Sequence, residues 1–273
     1  MTNIKDKLNK VEIVTDGIVT LISQLAPIIN KISNSNIDPE IESEIFFMLI
    51  NNYKLDVGYA YDLLKILCNS VYKQYKFVIV DNQKQNTELI TEKIKRHFGT
   101  QSTIIFEKDI KQTIKKITKD DNMILCESIK NDFSTGWWVY LMDTDREIFT
   151  KINPDFEEDN ITQNYYAITK LSAKPNYDRS FIIAETSEPV GINWLKTVLV
   201  KLKIPVYKVI ESIATYKRNV IHLIEITGNI DESDIRFGKE LKISGIKFEL
   251  LKKIGGYFQK INSIENNQLL FLK

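Results

Sequence analysis

The sequence predicts a multidomain chain in which an all-α N-terminal segment is followed by an α/β region and a βαββαβ C-terminal unit. Three observations predict it. Apolar residues recur at three and four through the first 75 residues, with no strand-like run among them. From Lys76 onward, β-rich runs alternate with amphipathic ones, the pattern of a parallel sheet with helical crossovers. From Arg179 the runs read strand, helix, strand, strand, helix, strand. The 273 residues are 43% apolar and 27% charged, a balance that buries cores and excludes disorder and fibre. With 37 basic and 36 acidic residues the net charge is +1, so no bulk field draws the chain to nucleic acid or to an anionic membrane, and neither is an expected partner.

In the first segment, residues 4–31 place Leu8, Val11, Val14, Ile18, Leu21, Leu25 and Ile29 at helical spacing, which predicts a long amphipathic helix with Pro27 bending its last turn. Asp38-Pro39-Glu40 reads as an N-cap, a proline at the first helical position and an acid in the first turn, opening a helix through Asn51. A third helix is expected over 57–75, and residues 1–76 form the first domain. In the second region, 77–176, strands at 77–80, 102–106 and 123–126 alternate with helices at 88–98 and 109–119. Trp137-Trp138-Val139-Tyr140-Leu141 reads as core, 153–164 as a polar loop and 165–171 as one more strand. The third region, 177–260, has strands at 180–184, 206–215, 219–226 and 247–252 and helices at 191–203 and 233–243, the ferredoxin-like order. Residues 261–273 are a tail.

Little in the chain suggests a reactive centre. Cys68 and Cys126 are isolated in apolar runs and read as reduced core residues, and neither His97 nor His222 has a second ligand at metal-binding spacing. No metal and no cofactor are expected, and His222, inside a strand run, reads as a structural histidine. There is no phosphate-binding glycine motif, and the lysine-rich stretch 108–119 alternates with isoleucines as a solvated helix face does. The N-terminus lacks a leader's apolar run, and no apolar stretch is long enough to span a bilayer, so a cytoplasmic location is expected.

The phrases LNKVEIVTDGIVTLISQLAPIINKI, IDPEIESEIFFMLINN and LLKILCNSVYKQY resemble the three helices of the all-helical chorismate mutase family. The phrases YDRSFIIAE, HLIEITGNIDESD and KKIGGY are similar to a proteobacterial branch of it, which carries a degenerate prephenate dehydratase-like region and an ACT-like C-terminus. The resemblance implies an intertwined homodimer in aromatic amino acid biosynthesis that isomerises chorismate to prephenate. That rearrangement needs placed donors and cations rather than a nucleophile or metal. It places Asp38 and Glu42 at the acidic positions around the second helix's start, and gives Glu42 and Ser70 the substrate's hydroxyl region, Gln74 the ether oxygen, and Lys31 the place of a lost cation. Leu8, Leu25 and Ile41 stand where the family keeps carboxylate-binding arginines, and losing one partner of such a pair costs about 2–5 kcal/mol. The dehydratase signature has no match at 162–165, so prephenate dehydration is not expected. In the ACT-like unit, Gly191, Ile192 and Asn193 resemble a ligand-binding glycine turn, and Glu211 and Ser212 part of an effector motif. Two functions stay open: a chorismate mutase, or a non-catalytic homologue that binds an aromatic amino acid or regulates a partner enzyme.

Overall fold

The computed structural model describes residues 23, 26, 39–53, 55, 57–80, 87–128, 136–152, 164–172, 174–216, 218–231 and 241–258. Helix α1 (Pro39–Asn51) opens on a proline, whose missing N–H would have no intrahelical partner there, and carries Glu40 and Glu42 at the positive end of its dipole. It buries Ile45 and Leu49. Helix α2 (Val57–Tyr72) buries Ala60, Tyr61, Leu64, Lys65, Cys68 and Tyr72, a single stripe at helical spacing. Strands β1 (Lys76–Val80), β2 (Thr103–Glu107) and β3 (Met123–Ser128) then alternate with helices α3 (Thr87–Phe98) and α4 (Ile110–Ile117). Asp109 caps α4 by accepting from Gln112 N at 2.9 Å.

The apolar run after β3 is a 3-10 helix (Trp137–Asp143), followed by β4 (Glu147–Ile152) and β5 (Tyr165–Thr169). The last third contributes β6 (Arg179–Thr186), α5 (Ile192–Lys201), β7 (Val206–Ala214), β8 (Val220–Thr227), β9 (Leu241–Ile243) and β10 (Ile246–Tyr257). All ten strands belong to one mixed sheet in the order β2-β1-β3-β5-β4-β10-β6-β8-β7, with β9 on β10. The β2-β1-β3 part is parallel, as alternating strands and helices require, while β3-β5-β4 and β10-β6-β8-β7 are antiparallel.

This architecture corrects the expected multidomain arrangement with a separate all-α N-terminal unit: the described strands form one mixed sheet, and the first described helices are part of the same α/β fold. Helices α1 and α2 lie on the sheet. Ile45, Leu49, Leu64 and Cys68 share one core with Phe77 and Ile79 of β1, Ile124 and Cys126 of β3, Phe149 and Ile152 of β4, and Ala167 of β5. Aromatic contacts tie that core together: the Phe98 ring of α3 lies 4.5 Å from Phe77 and 4.7 Å from Tyr72, centroid to centroid. Hydrophobic spacing reveals an apolar stripe but not what covers it, and here the stripe of these two helices packs on a sheet face. The expected helix over 4–31 lies outside the described residues, apart from Ser23 and Ala26. Of the expected helix 233–243, residues 233–240 lie outside as well, and Leu241–Ile243 is a strand.

The two halves of the sheet meet at a single parallel pair, Gly255 of β10 beside Ile148 of β4. Gly255 has φ +116°, and a Cβ there would stand 2.0 Å from the Ile148 carbonyl oxygen and 2.5 Å from its nitrogen. Only glycine permits that approach. Lys252 secures the neighbouring 3-10 helix, its ammonium donating to the carbonyls of Leu141 at 3.0 Å, Met142 at 2.5 Å and Thr144 at 3.1 Å. The other sheet face is covered by Trp137, Trp138 and α4 residues Ile114 and Ile117. Helix α5 packs on β6, β8 and β10 through Leu195, Val198 and Leu199.

His222 of β8 is buried, with Ser212 Oγ 2.8 Å from Nδ1 and Thr186 Oγ1 3.3 Å from Nε2. Thr186 itself donates to the Glu188 carbonyl, so a neutral imidazole that accepts at Nδ1 and donates from Nε2 satisfies every group. Burial holds the His222 pKa down at about 4.

Two predictions follow from the sheet. Gly255→Ala adds both backbone strain and a clash with Ile148, and should cost about 3 kcal/mol or more in urea unfolding; an unchanged midpoint would mean the seam is not this tight. Between about pH 6.5 and 4 the unfolded chain takes up a proton that folded His222 refuses, so this group lowers stability as pH falls through that window and contributes no slope above it. His222→Gln should lose that part of the slope, read as the difference between the two proteins' urea midpoints at pH 7 and pH 4.5; identical slopes would refute it.

Candidate functional site

Where α1 and α2 overhang the seam, they enclose a cavity of about 100 Å³ that opens to solvent. Helix α1 contributes Pro39, Glu42, Ser43, Phe46 and Phe47, residues three and four apart on one face. Helix α2 contributes Tyr61, Leu64, Lys65 and Tyr72, and His97 comes from the end of α3. The sheet supplies Phe149, Thr150 and Lys151 of β4, with Asp178 just before β6 and Phe258 just after β10. The enclosed part is smaller than a cavity of about 150 Å³ that accommodates benzene, so a bound molecule would place part of itself inside and the rest in the mouth.

The polar side chains form a connected line. Tyr72 donates its hydroxyl to Glu42 Oε1, and Lys65 Nζ lies 3.7 Å from Glu42 Oε2. The Lys65 ammonium also stands 5.1 Å from the centre of the Tyr61 ring. The Tyr61 hydroxyl is 2.8 Å from His97 Nδ1, and Thr150 Oγ1 is 3.5 Å from Nε2 of the same ring. Burial pulls the Lys65 ammonium towards neutrality, but Tyr61 and Glu42 beside it outweigh burial and hold its pKa above the ordinary lysine value. Burial, and then the Glu42 charge, pushes the Tyr72 phenol well up, and burial raises Tyr61. At neutral pH the site therefore presents a charged ammonium and two protonated phenols. The Cys68 thiol, raised by burial and by Glu42, stays protonated and is not a nucleophile.

The Lys65 side chain is only 10% exposed, yet among the described residues no acceptor stands within hydrogen-bonding distance of its Nζ. The Glu42 contact at 3.7 Å is an ion pair rather than a hydrogen bond. A largely buried ammonium at the wall of an open cavity, 3.7 Å from the carboxylate beside it, is suited to a carboxylate or another anionic oxygen from outside the chain.

Of the residues singled out from sequence, Glu42 is in this cavity. Asp38 and Lys31 lie outside the described residues. Ser70 lies on α2, and Gln74 is exposed in the turn that follows that helix. Gly191 is the N-cap of α5, with Ile192 and Asn193 exposed in its first turn. Glu211 accepts from the Trp138 indole at 2.6 Å and Ser212 is bonded to His222, so both have partners within the protein. Lys65, Tyr61, Tyr72 and His97 were not singled out. Their signal was present: Tyr61, Lys65 and Tyr72 interrupt the apolar stripe of α2 with polar groups, and a polar group in a buried stripe is more informative than an apolar one. Among the described residues, no group of histidines, cysteines and acids is placed to hold a metal ion, and no helix is long and apolar enough to cross a membrane.

No protein-family model and no curated protein matches the chain. Solved structures similar to it include the following three. A prephenate dehydratase from Streptococcus mutans is 14% identical, with a TM-score of 0.44 over 67% of this chain and 97% of that one. GqqA, described as a novel type of quorum quenching acylase, is 10% identical, with a TM-score of 0.48 over 70% and 97%. A prephenate dehydratase from Arthrobacter aurescens, solved in complex with L-Phe, is 8% identical, with a TM-score of 0.42 over 72% and 98%. At these identities the likeness concerns the fold, and the chemistry of the site rests on this chain's own residues.

Proposed function

We propose that this chain binds a small ring-bearing carboxylic acid of aromatic amino acid metabolism in the cavity beneath α1 and α2. The observation that carries the reading is the largely buried, charged Lys65 ammonium, whose nearest carboxylate among the described residues is Glu42 at 3.7 Å, at a wall shared with Phe46, Phe47 and Phe149. The ammonium supplies the grip for the carboxylate and the phenyl groups the contact for the ring. Such a site needs a few placed polar groups in an apolar cleft, which is its composition. Chorismate rearrangement would add a donor at the ether oxygen. Gln74, the residue given that task, is exposed in a turn, so turnover is not part of the proposal.

Titration calorimetry of the purified chain with L-phenylalanine, phenylpyruvate, prephenate and chorismate should give saturable binding for at least one of them. Lys65→Met keeps the apolar stem and removes the charge, and should weaken that binding by about 10- to 100-fold, the worth of a charged hydrogen bond. Failure of all four to bind the folded protein at millimolar concentration would overturn the reading.

A further inference from the structure

We infer that the cavity recognises the zwitterionic head of an α-amino acid, with Lys65 receiving the carboxylate and Glu42 the α-ammonium. This rests on the ring-bearing acid reading and deepens it. Glu42 has Oε1 committed to the Tyr72 hydroxyl, while Oε2 faces the Lys65 ammonium at 3.7 Å. The cavity wall thus offers a carboxylate oxygen and an ammonium side by side, 3.7 Å apart and both largely buried. In an α-amino acid the nitrogen and the carboxyl carbon are about 2.5 Å apart. Set antiparallel against the Glu42–Lys65 pair, that dipole places each ligand charge next to its opposite.

Charge balance points the same way. His97 aside, the described residues around the cavity set two carboxylates, Glu42 and Asp178, against two ammoniums, Lys65 and Lys151. A dianion such as chorismate or prephenate would bring two charges into a partly desolvated space whose own charges already cancel, whereas a zwitterion adds none. Tyr72 fixes the Glu42 carboxylate through a phenol that stays protonated, so the acceptor is held before ligand arrives. The apolar side chain of the amino acid then lies against Phe46 and Phe149 and reaches towards the mouth.

The test is a deletion series on the unmodified protein, followed by titration calorimetry: L-phenylalanine, 3-phenylpropionate, which lacks the ammonium, and 2-phenylethylamine, which lacks the carboxylate. The zwitterion should bind at least tenfold more tightly than either truncated probe. Glu42→Gln, checked for folding by circular dichroism, should weaken L-phenylalanine at least tenfold while leaving 3-phenylpropionate unweakened. If 3-phenylpropionate binds the unmodified protein as tightly as L-phenylalanine, the ammonium subsite is wrong and the ring-bearing acid reading stands. If none of the three probes binds, the zwitterion inference fails; the broader reading is then decided by phenylpyruvate, prephenate and chorismate.

Discussion

The approach of Gly255 to Ile148 is the constraint on which the rest of the molecule depends. One parallel pair joins a half-sheet built from β1 to β5 to a half-sheet built from β6 to β10, and it exists because the backbone of β10 can press against β4 where no side chain intervenes. A seam this narrow has few hydrogen bonds of its own. Its stability comes from what spans it: Ile148 and Ile254 share a core with Trp137, Trp138 and Leu141 on one face, and the Lys252 ammonium binds the carbonyls that end the 3-10 helix. Each of these contacts links the two halves, so the ladder need not do so alone.

The cavity sits on the other face of that seam. Phe149, Thr150 and Lys151 follow Ile148 directly, Phe258 is three residues after Gly255, and Asp178 precedes the strand paired with β10. The floor of the site is therefore drawn from both half-sheets, and its roof from α1 and α2. This explains why the helices belong to the α/β core. They cover a sheet face that would otherwise be exposed, and the same covering encloses Glu42 and Lys65 together. Enclosure raises the cost of leaving those charges unmatched, which converts a helix-to-helix ion pair into a recognition element.

Individual elements, though not the architecture, were legible in the sequence because they rest on local rules. Pro39 opens a helix for the reason its ring dictates, the alternation after Lys76 forms parallel strands, and Asp109 caps the helix it precedes. Burial of Trp137 and Trp138 and the satisfied ring of His222 also follow from residue chemistry. What local rules could not supply was the partner of each apolar face. The stripe on α2 is equally consistent with another helix or with a sheet. Strand β4 escaped notice because its Glu147, Thr150 and Lys151 dilute a short apolar run. The site suffered from the same gap. The resemblance to the mutase helices pointed to Ser70, two residues before Tyr72 on α2, and to Gln74, past the end of that helix, rather than to the Lys65 and Tyr72 that line the cavity.

On the proposed zwitterion reading, this site has no need of arginines. A grip on a dianion needs several forked cations whose positive charge exceeds that of the surroundings. A grip on a neutral dipolar head needs one acceptor and one donor at matched spacing, and a surplus of cations would disfavour the ammonium end. Lysine suffices for the donor because a single compact charge, held against Glu42 and the face of Tyr61, meets one carboxylate. Ile41 next to Glu42 is partly buried against the core and not a missing cation: it fills the helix–sheet interface that keeps Glu42 in place. On this account the arginine-poor lining is the composition that a zwitterion selects, and charge balance in the cavity, more than the wording of any helix, sets which molecules it can hold.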